Sequence, residues 1–256
     1  MKSLETQLRS LRGEGRKALV PYFMAGSTKD WTQHIAAAIF AGADAVEVGV
    51  PFSDPMIDGA VVQAAGERSL AAGTTIDSVC AELSGIHFDA PLVVMTYYNL
   101  FHHYGLRRAA GRLSESGIQG AIVPDLTLEE SQPWRDACDD TDIATIFLVA
   151  PSTTAERFTS LSRASQGFCY ASARMAVTGR AHGDGDATRV VEGVRAVSDI
   201  PTYVGIGITT PEQAARATQH ADGVIVGSAL VDTILKGATP SDTEDFIRAF
   251  RRAIDQ

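Results

Sequence analysis

Residues 41–60 read AGADAVEVGVPFSDPMIDGA. A short apolar run, 45–50, carries one carboxylate, Glu47, in its middle. A segment rich in Pro, Ser, Asp and Gly follows and holds a second, Asp58. A helical pattern over 61–71 comes next, closed by Gly73. A short, near-continuous apolar run is the mark of a strand buried on both faces of a parallel sheet. A charge inside such a strand is costly unless it is paired or at work, whereas a charge in the following loop is cheap. Two carboxylates in such different surroundings can divide acid and base duties. The bland reading puts Glu47 on the solvent side of an edge strand and makes Asp58 a turn residue; the stretch alone leaves both open.

The same strand–loop–helix unit recurs on either side. Apolar runs at 18–25, 43–50, 91–96, 120–123, 143–149, 167–172, 202–205 and 223–226 predict eight strands. Helical patterns follow at 30–40, 61–71, 75–86, 106–116, 128–139, 154–164, 188–197, 211–220, 228–235 and 243–254. Thr75 is the predicted cap of its helix, and Glu129 and Glu130 fall in the first turn of 128–139. One further amphipathic helix, 3–11, precedes them with Ser3 as its cap, and 174–186 reads as a long Gly- and charge-rich loop. Alternating βα units predict a parallel sheet. Eight of them in 256 residues predict an α/β fold, a (β/α)8 TIM barrel forming one domain over 1–256. It has an extra N-terminal helix and a short extra helix after the eighth strand. A doubly wound open sheet is the alternative, usually with fewer strands.

A barrel of this kind keeps its active site at the C-terminal ends of the strands. Glu47 and Asp58 then face one pocket. Phosphate sites in this fold use the loops after strands seven and eight together with a short helix. The chain has Gly205-Ile206-Gly207-Ile208 and Val226-Gly227-Ser228-Ala229 in those places, and Ser228 opens the short helix. Glycine lets backbone amides approach an anion, and a helix N-terminus favours it. No GxGxxG or P-loop occurs, so a nucleotide is not implied. Tyr22, Tyr97, Tyr98 and Tyr170 fall at or near strand ends, where aromatics more often pack a rim but would suit a flat aromatic substrate.

Other chemistries find no residues. A net charge of −9 argues against nucleic acid. Cys80, Cys138 and Cys169 form neither a CxxC pair nor a disulfide framework, which fits a reducing cytoplasm. His102-His103 is the one close histidine pair, and no HExxH or Cys/His cluster suggests a metal. No GxSxG elbow offers a serine nucleophile. Lys17, Lys29 and Lys236 lie outside the predicted strand ends where a Schiff-base lysine would sit. The N-terminus lacks the apolar core of a secretion signal, and no run approaches a membrane span. Acid–base work by carboxylates is what remains.

Gly42-Ala43-Asp44 running into Val46-Glu47-Val48-Gly49-Val50-Pro51-Phe52-Ser53-Asp54-Pro55, then Asp58-Gly59, closely resembles the signature of the tryptophan synthase α subunit family. The resemblance extends over nearly the whole chain. It takes in Val20-Pro21-Tyr22, Tyr97-Tyr98-Asn99-Leu100, Pro124-Asp125-Leu126, Val177-Thr178-Gly179, Gly205-Ile206-Gly207-Ile208 and Gly227-Ser228-Ala229. It implies retro-aldol cleavage of indole-3-glycerol phosphate to indole and glyceraldehyde 3-phosphate. It implies Glu47 as general acid/base and Asp58 as the carboxylate that holds the indole N–H. Thr178 matches the threonine of a closing loop. Tyr22 stands where the family usually has Phe, Tyr97 and Tyr170 match aromatic pocket positions, and Gly179, Gly207, Gly227 and Ser228 match the phosphate cradle. It further implies no cofactor in this chain, with pyridoxal phosphate carried by a β subunit in an α2β2 assembly. Departures occur at Ser27-Thr28, where the family has Asp-Pro, at Ala60 for Pro, and at Ala173 and Ala176 in the sixth loop. They raise two alternatives, a stand-alone lyase releasing free indole and a weakly active paralogue that mainly binds a partner. Another phosphosugar-handling barrel enzyme, such as an isomerase, is a third.

Overall fold

The structure, a computed structural model, describes residues 1–172, 185–205 and 207–256. Its strands are β1 (Ala18–Met24), β2 (Val46–Gly49), β3 (Leu92–Met95), β4 (Ile118–Ile122), β5 (Ala144–Ile146), β6 (Leu148–Val149), β7 (Cys169–Ser172), β8 (Thr202–Gly205) and β9 (Gly223–Val226). Between and around them run α1 (Ser3–Gly13), α2 (Trp31–Phe40), α3 (Ala60–Ala71), α4 (Ile76–Ser84), α5 (Tyr98–Tyr104) and α6 (Leu106–Glu115). The second half adds α7 (Gln132–Asp139), α8 (Ala155–Ala164), α9 (Gly185–Arg195), α10 (Pro211–Thr218), α11 (Ser228–Leu235) and α12 (Pro240–Ile254).

Every strand pair is parallel, in the order β5-β4-β3-β2-β1-β9-β8-β7-β6. The two ends of that order are the two halves of one predicted strand. β5 pairs with β4 through Gly120↔Ala144 and Ile122↔Ile146, and β6 pairs with β7 through Leu148↔Tyr170. Phe147 alone separates them, and its carbonyl accepts from the Tyr170 amide at 3.0 Å. The fifth strand thus changes partner at Phe147 and closes the sheet into the eight-stranded barrel.

Strand periodicity sorts the side chains into two layers. Along β1, Ala18 and Val20 point into the barrel with Ala45, Val93, Ile122, Tyr203 and Ile225, while Leu19 and Phe23 point to the helices. Along β2, Val46 and Val48 point outward, which sends Glu47 inward. Leu4 and Leu8 of α1 are buried with the inner layer. Leu4 fills the space a Cβ would need at Gly120 and Gly167, so α1 plugs one end of the barrel.

Several boundaries differ from the sequence pattern for identifiable reasons. Ser3 is the first residue of α1 rather than its cap; its amide donates to Asp142 Oδ1 at 3.2 Å, so a distant carboxylate caps that helix. Thr75 caps α4 as expected, in a reciprocal box with Ser78. Glu129 and Glu130 are not in a helical first turn. α7 starts at Gln132 with Pro133 in its first turn, and Glu129 pairs with Arg157 at 2.5 Å. α5 is an additional helix, so His102 and His103 lie in its last turn rather than in a loop.

Candidate active site

Glu47 is 1% exposed, and its Oε2 has no hydrogen-bond partner. Burial first, and then the charge of Asp58, pushes its carboxyl up to about 8. A carboxylate without a partner in a dry site takes a proton instead of a charge.

Asp58 lies in the β2–α3 loop, one residue before the Gly59 N-cap of α3. That loop is tied from β3. The Tyr97 hydroxyl accepts from the Ile57 amide at 3.1 Å, and its ring stacks on Phe52 with centroids 5.1 Å apart. Thr96 Oγ1 donates to the Val50 carbonyl at 3.0 Å. Partial burial raises the Asp58 pKa, and hydrogen bonding to Tyr97 opposes that rise. The two carboxylates are therefore unequal: one is held protonated by its surroundings, the other has a donor for its charged form.

Two tyrosines stand over glycines of neighbouring strands. A Cβ at Gly49 would collide with the Tyr22 hydroxyl, and one at Gly205 with the Tyr170 hydroxyl. Gly49→Ala is expected to displace Tyr22, lowering stability by about 1–3 kcal/mol and turnover with it. Denaturant titration and steady-state assay check this; an unchanged enzyme would mean the slot is dispensable.

A pocket at the ends of β1 and β3, bounded by the β2–α3 loop and α3, is lined by Tyr22, Met24, Phe52, Asp58, Met95 and Tyr97, among others. It does not take in Glu47, Tyr170 or the glycines of the phosphate side. Gly227 caps α11, and a Cβ on it would lie 3.6 Å from Tyr22 Cβ, so the two halves of the candidate site meet at Tyr22. Ser228 opens α11 and is exposed, and the helix N-terminus it begins favours an anion. Gly207 has φ +99°, a conformation for which glycine is suited. Thr178 and Gly179, with Ala173, Ala176 and Ile206, lie outside the described residues. Phe52, Met24 and Met95 are among the lining residues that the sequence did not mark; Phe52 adjoins the Ser-Asp-Pro turn, but nothing local marks it as a stacking partner of Tyr97.

Among the described residues, no group of three or more His, Cys, Asp or Glu is placed to hold a metal ion. No helix among them is long and apolar enough to cross a membrane.

The family model for the tryptophan synthase alpha chain matches residues 8–253. A tryptophan synthase alpha chain from Streptomyces coelicolor is 39% identical over 251 residues, 96% of this chain and 93% of that one. One from Alkalilimnicola ehrlichii is 42% identical over 270 aligned positions, covering 100% and 97%. A ligand-free crystal structure of tryptophan synthase from M. tuberculosis superposes with a TM-score of 0.91 at 35% identity, covering 100% of both chains.

Proposed function

The chain belongs to the tryptophan synthase alpha chain family, and on that premise we propose that Glu47 and Asp58 together carry the retro-aldol cleavage of indole-3-glycerol phosphate. Full-length similarity to proteins named as alpha chains supports the subunit reading over a stand-alone lyase or a partner-binding paralogue. It fits a β subunit as partner, with pyridoxal phosphate chemistry assigned to that subunit.

The reaction moves one proton and breaks one bond. Protonated Glu47 gives its proton to C3 of the indole, which leaves positive charge on the ring nitrogen. Ionised Asp58 accepts the indole N–H and stabilises that charge. Glu47, now a carboxylate, takes the proton of the hydroxyl on the carbon attached to C3. The C–C bond breaks, its electron pair restores the indole, and the aldehyde of glyceraldehyde 3-phosphate forms. Glu47 ends protonated, ready for the next substrate. Tyr22, Tyr97 and Tyr170 frame the indole. Gly207, Gly227 and Ser228 hold the phosphate end; the family resemblance gives the same role to Gly179 and assigns Thr178 to the loop that meets Asp58.

The observation that carries this reading is the buried, unpartnered Glu47 carboxyl, on which the charge of a second carboxylate, Asp58, bears. It predicts a bell-shaped pH profile. Turnover falls as pH rises past about 8, because the acid is lost. It also falls at low pH as Asp58 is protonated, and that limb lies above the ordinary aspartate range because the Asp58 pKa is raised. The deciding assay is cleavage of indole-3-glycerol phosphate with and without a β subunit. Indole and glyceraldehyde 3-phosphate in equal amounts support the proposal, and a larger rate with the β subunit supports the subunit role. No cleavage in either condition overturns it.

A further inference from the structure

Tyr22 of β1 stands in register with Glu47 of β2, and both side chains leave the sheet on its inner face. The phenol does not end there. It reaches to the next inward position of β2, where Gly49 leaves room for the hydroxyl. The residue is 4% exposed, packed with Met24, Ala65 and Val231. Its hydroxyl therefore lies one inward position beyond Glu47 towards the mouth, on the side of the loop that carries Asp58.

The charges bearing on this hydroxyl, after burial itself, are Asp58 and then Glu47, followed by Tyr97 and Tyr170. Glu47 in turn responds to Asp58, and Tyr170 to Glu47. Among the described residues, these are the titratable groups that face one another here; no cation is among them. Glu47 Oε2 has no donor in the structure. Yet the reaction requires Glu47 to be ionised for part of each cycle, and an ionised carboxylate only accepts hydrogen bonds.

We propose that Tyr22 is a positioning residue for the acid: its hydroxyl donates a hydrogen bond to Glu47 during the interval in which that side chain is ionised. This rests on the retro-aldol reading above. The phenol transfers no proton. Burial and the neighbouring carboxylates hold its own pKa well above the ordinary tyrosine value, so it stays protonated and acts as a donor throughout. The interval runs from protonation of C3 to removal of the substrate hydroxyl proton. Met24, Ala65 and Val231, packed with Tyr22, have no side-chain donor to offer; the Tyr170 hydroxyl, which also responds to Glu47, lies over Gly205 of β8, whereas the Tyr22 hydroxyl lies over Gly49 on the strand of Glu47 itself.

The test is Tyr22→Phe, which keeps the ring in its slot and removes the donor. A hydrogen bond to the ionised form lowers a carboxyl pKa, and its loss raises it. The descending limb of the kcat/KM profile is expected to move to higher pH by about one unit. kcat is expected to fall several-fold at neutral pH with KM little changed, because the donor serves Glu47 and not the substrate. A limb that stays in place, or an effect confined to KM, overturns the proposal. The melting temperature of the variant is read alongside, and a merely structural role would lower it without moving the limb. The Glu47 carboxyl is also titrated by carbon NMR in both proteins, assigned by its absence from Glu47→Gln. If the unmodified chain fails to cleave indole-3-glycerol phosphate, the retro-aldol reading falls. The hydrogen bond is then judged by that titration alone: an upward shift in Tyr22→Phe sustains it and an equal midpoint overturns it.

Discussion

Glu47→Gln is expected to lower turnover of indole-3-glycerol phosphate by roughly 10²–10⁴-fold, the usual contribution of a positioned general acid. The amide has nearly the shape of the protonated carboxyl but no proton to give. The same change is expected to stabilise the fold at neutral pH. Glu47 is pushed up to about 8 from an ordinary carboxyl value of 4.5. Between those two values the folded chain binds the proton that the unfolded chain has released, so stability falls as pH rises through that window. Each unit corresponds to about 1.4 kcal/mol, which makes the cost of the order of 3 kcal/mol at pH 7. A glutamine carries none of it. Chemical denaturation should therefore find Glu47→Gln more stable than the unmodified protein at pH 7, with the gap closing below pH 4.5. Near-normal turnover would remove Glu47 from the chemistry. Equal stability across the window would mean that Glu47 is not held protonated.

The second large effect lies away from the site. Asp44 stands just before β2, with its side chain 7% exposed. It accepts from the Leu19 amide at 2.9 Å, from Arg16 Nη2 at 2.8 Å and from Arg251 Nη1 at 2.7 Å. Arg251 also donates to the Lys17 carbonyl at 2.9 Å and bonds Asp255. The cluster joins β1, the start of β2 and α12 at the end of the barrel remote from the site. Gly42 belongs to it: at φ +106°, a Cβ there would lie 3.1 Å from Arg251 Cδ. Asp44→Ala takes one of its two carboxylate partners from the buried Arg251 guanidinium and leaves the Leu19 amide without its acceptor. A loss of about 3–5 kcal/mol is expected. At roughly 2–4 °C per kcal/mol for a chain of this size, the melting temperature should fall by about 10 °C. Turnover by the remaining folded protein should be unchanged. A loss under 1 kcal/mol would show that the cluster is solvated well enough to be dispensable.

The barrel was legible because its strands are short apolar runs at regular intervals, a pattern that parallel burial imposes on sequence. The buried place of Glu47 was legible for the converse reason: it breaks that pattern from inside a buried strand. What escaped is held by contacts distant in sequence. α5 lacks apolar periodicity in YNLFHHY, and the Tyr98 amide in its first turn is met by Asp125 Oδ1 at 2.8 Å, from another loop. α1 is capped in the same way by Asp142. The partner change at Phe147 lies inside an unbroken apolar run, IATIFLV, and hydrophobicity does not say which neighbour each half of a strand will meet. Gly49 reads as an ordinary strand glycine, and Gly205 as the start of a phosphate loop, until two tyrosine hydroxyls are seen over them. Asp44 entered as part of a family signature, and its role needs Arg251, which comes from the last helix.

On the retro-aldol reading, burial keeps Glu47 protonated at neutral pH so that it can serve as the acid. The most direct measurement is the titration of the Glu47 carboxyl carbon by NMR in the folded, unliganded protein, with Glu47→Gln identifying the resonance. A midpoint near 8 is predicted. A midpoint in the ordinary glutamate range, about 4 to 5, would mean that Glu47 is ionised at neutral pH and is not the acid.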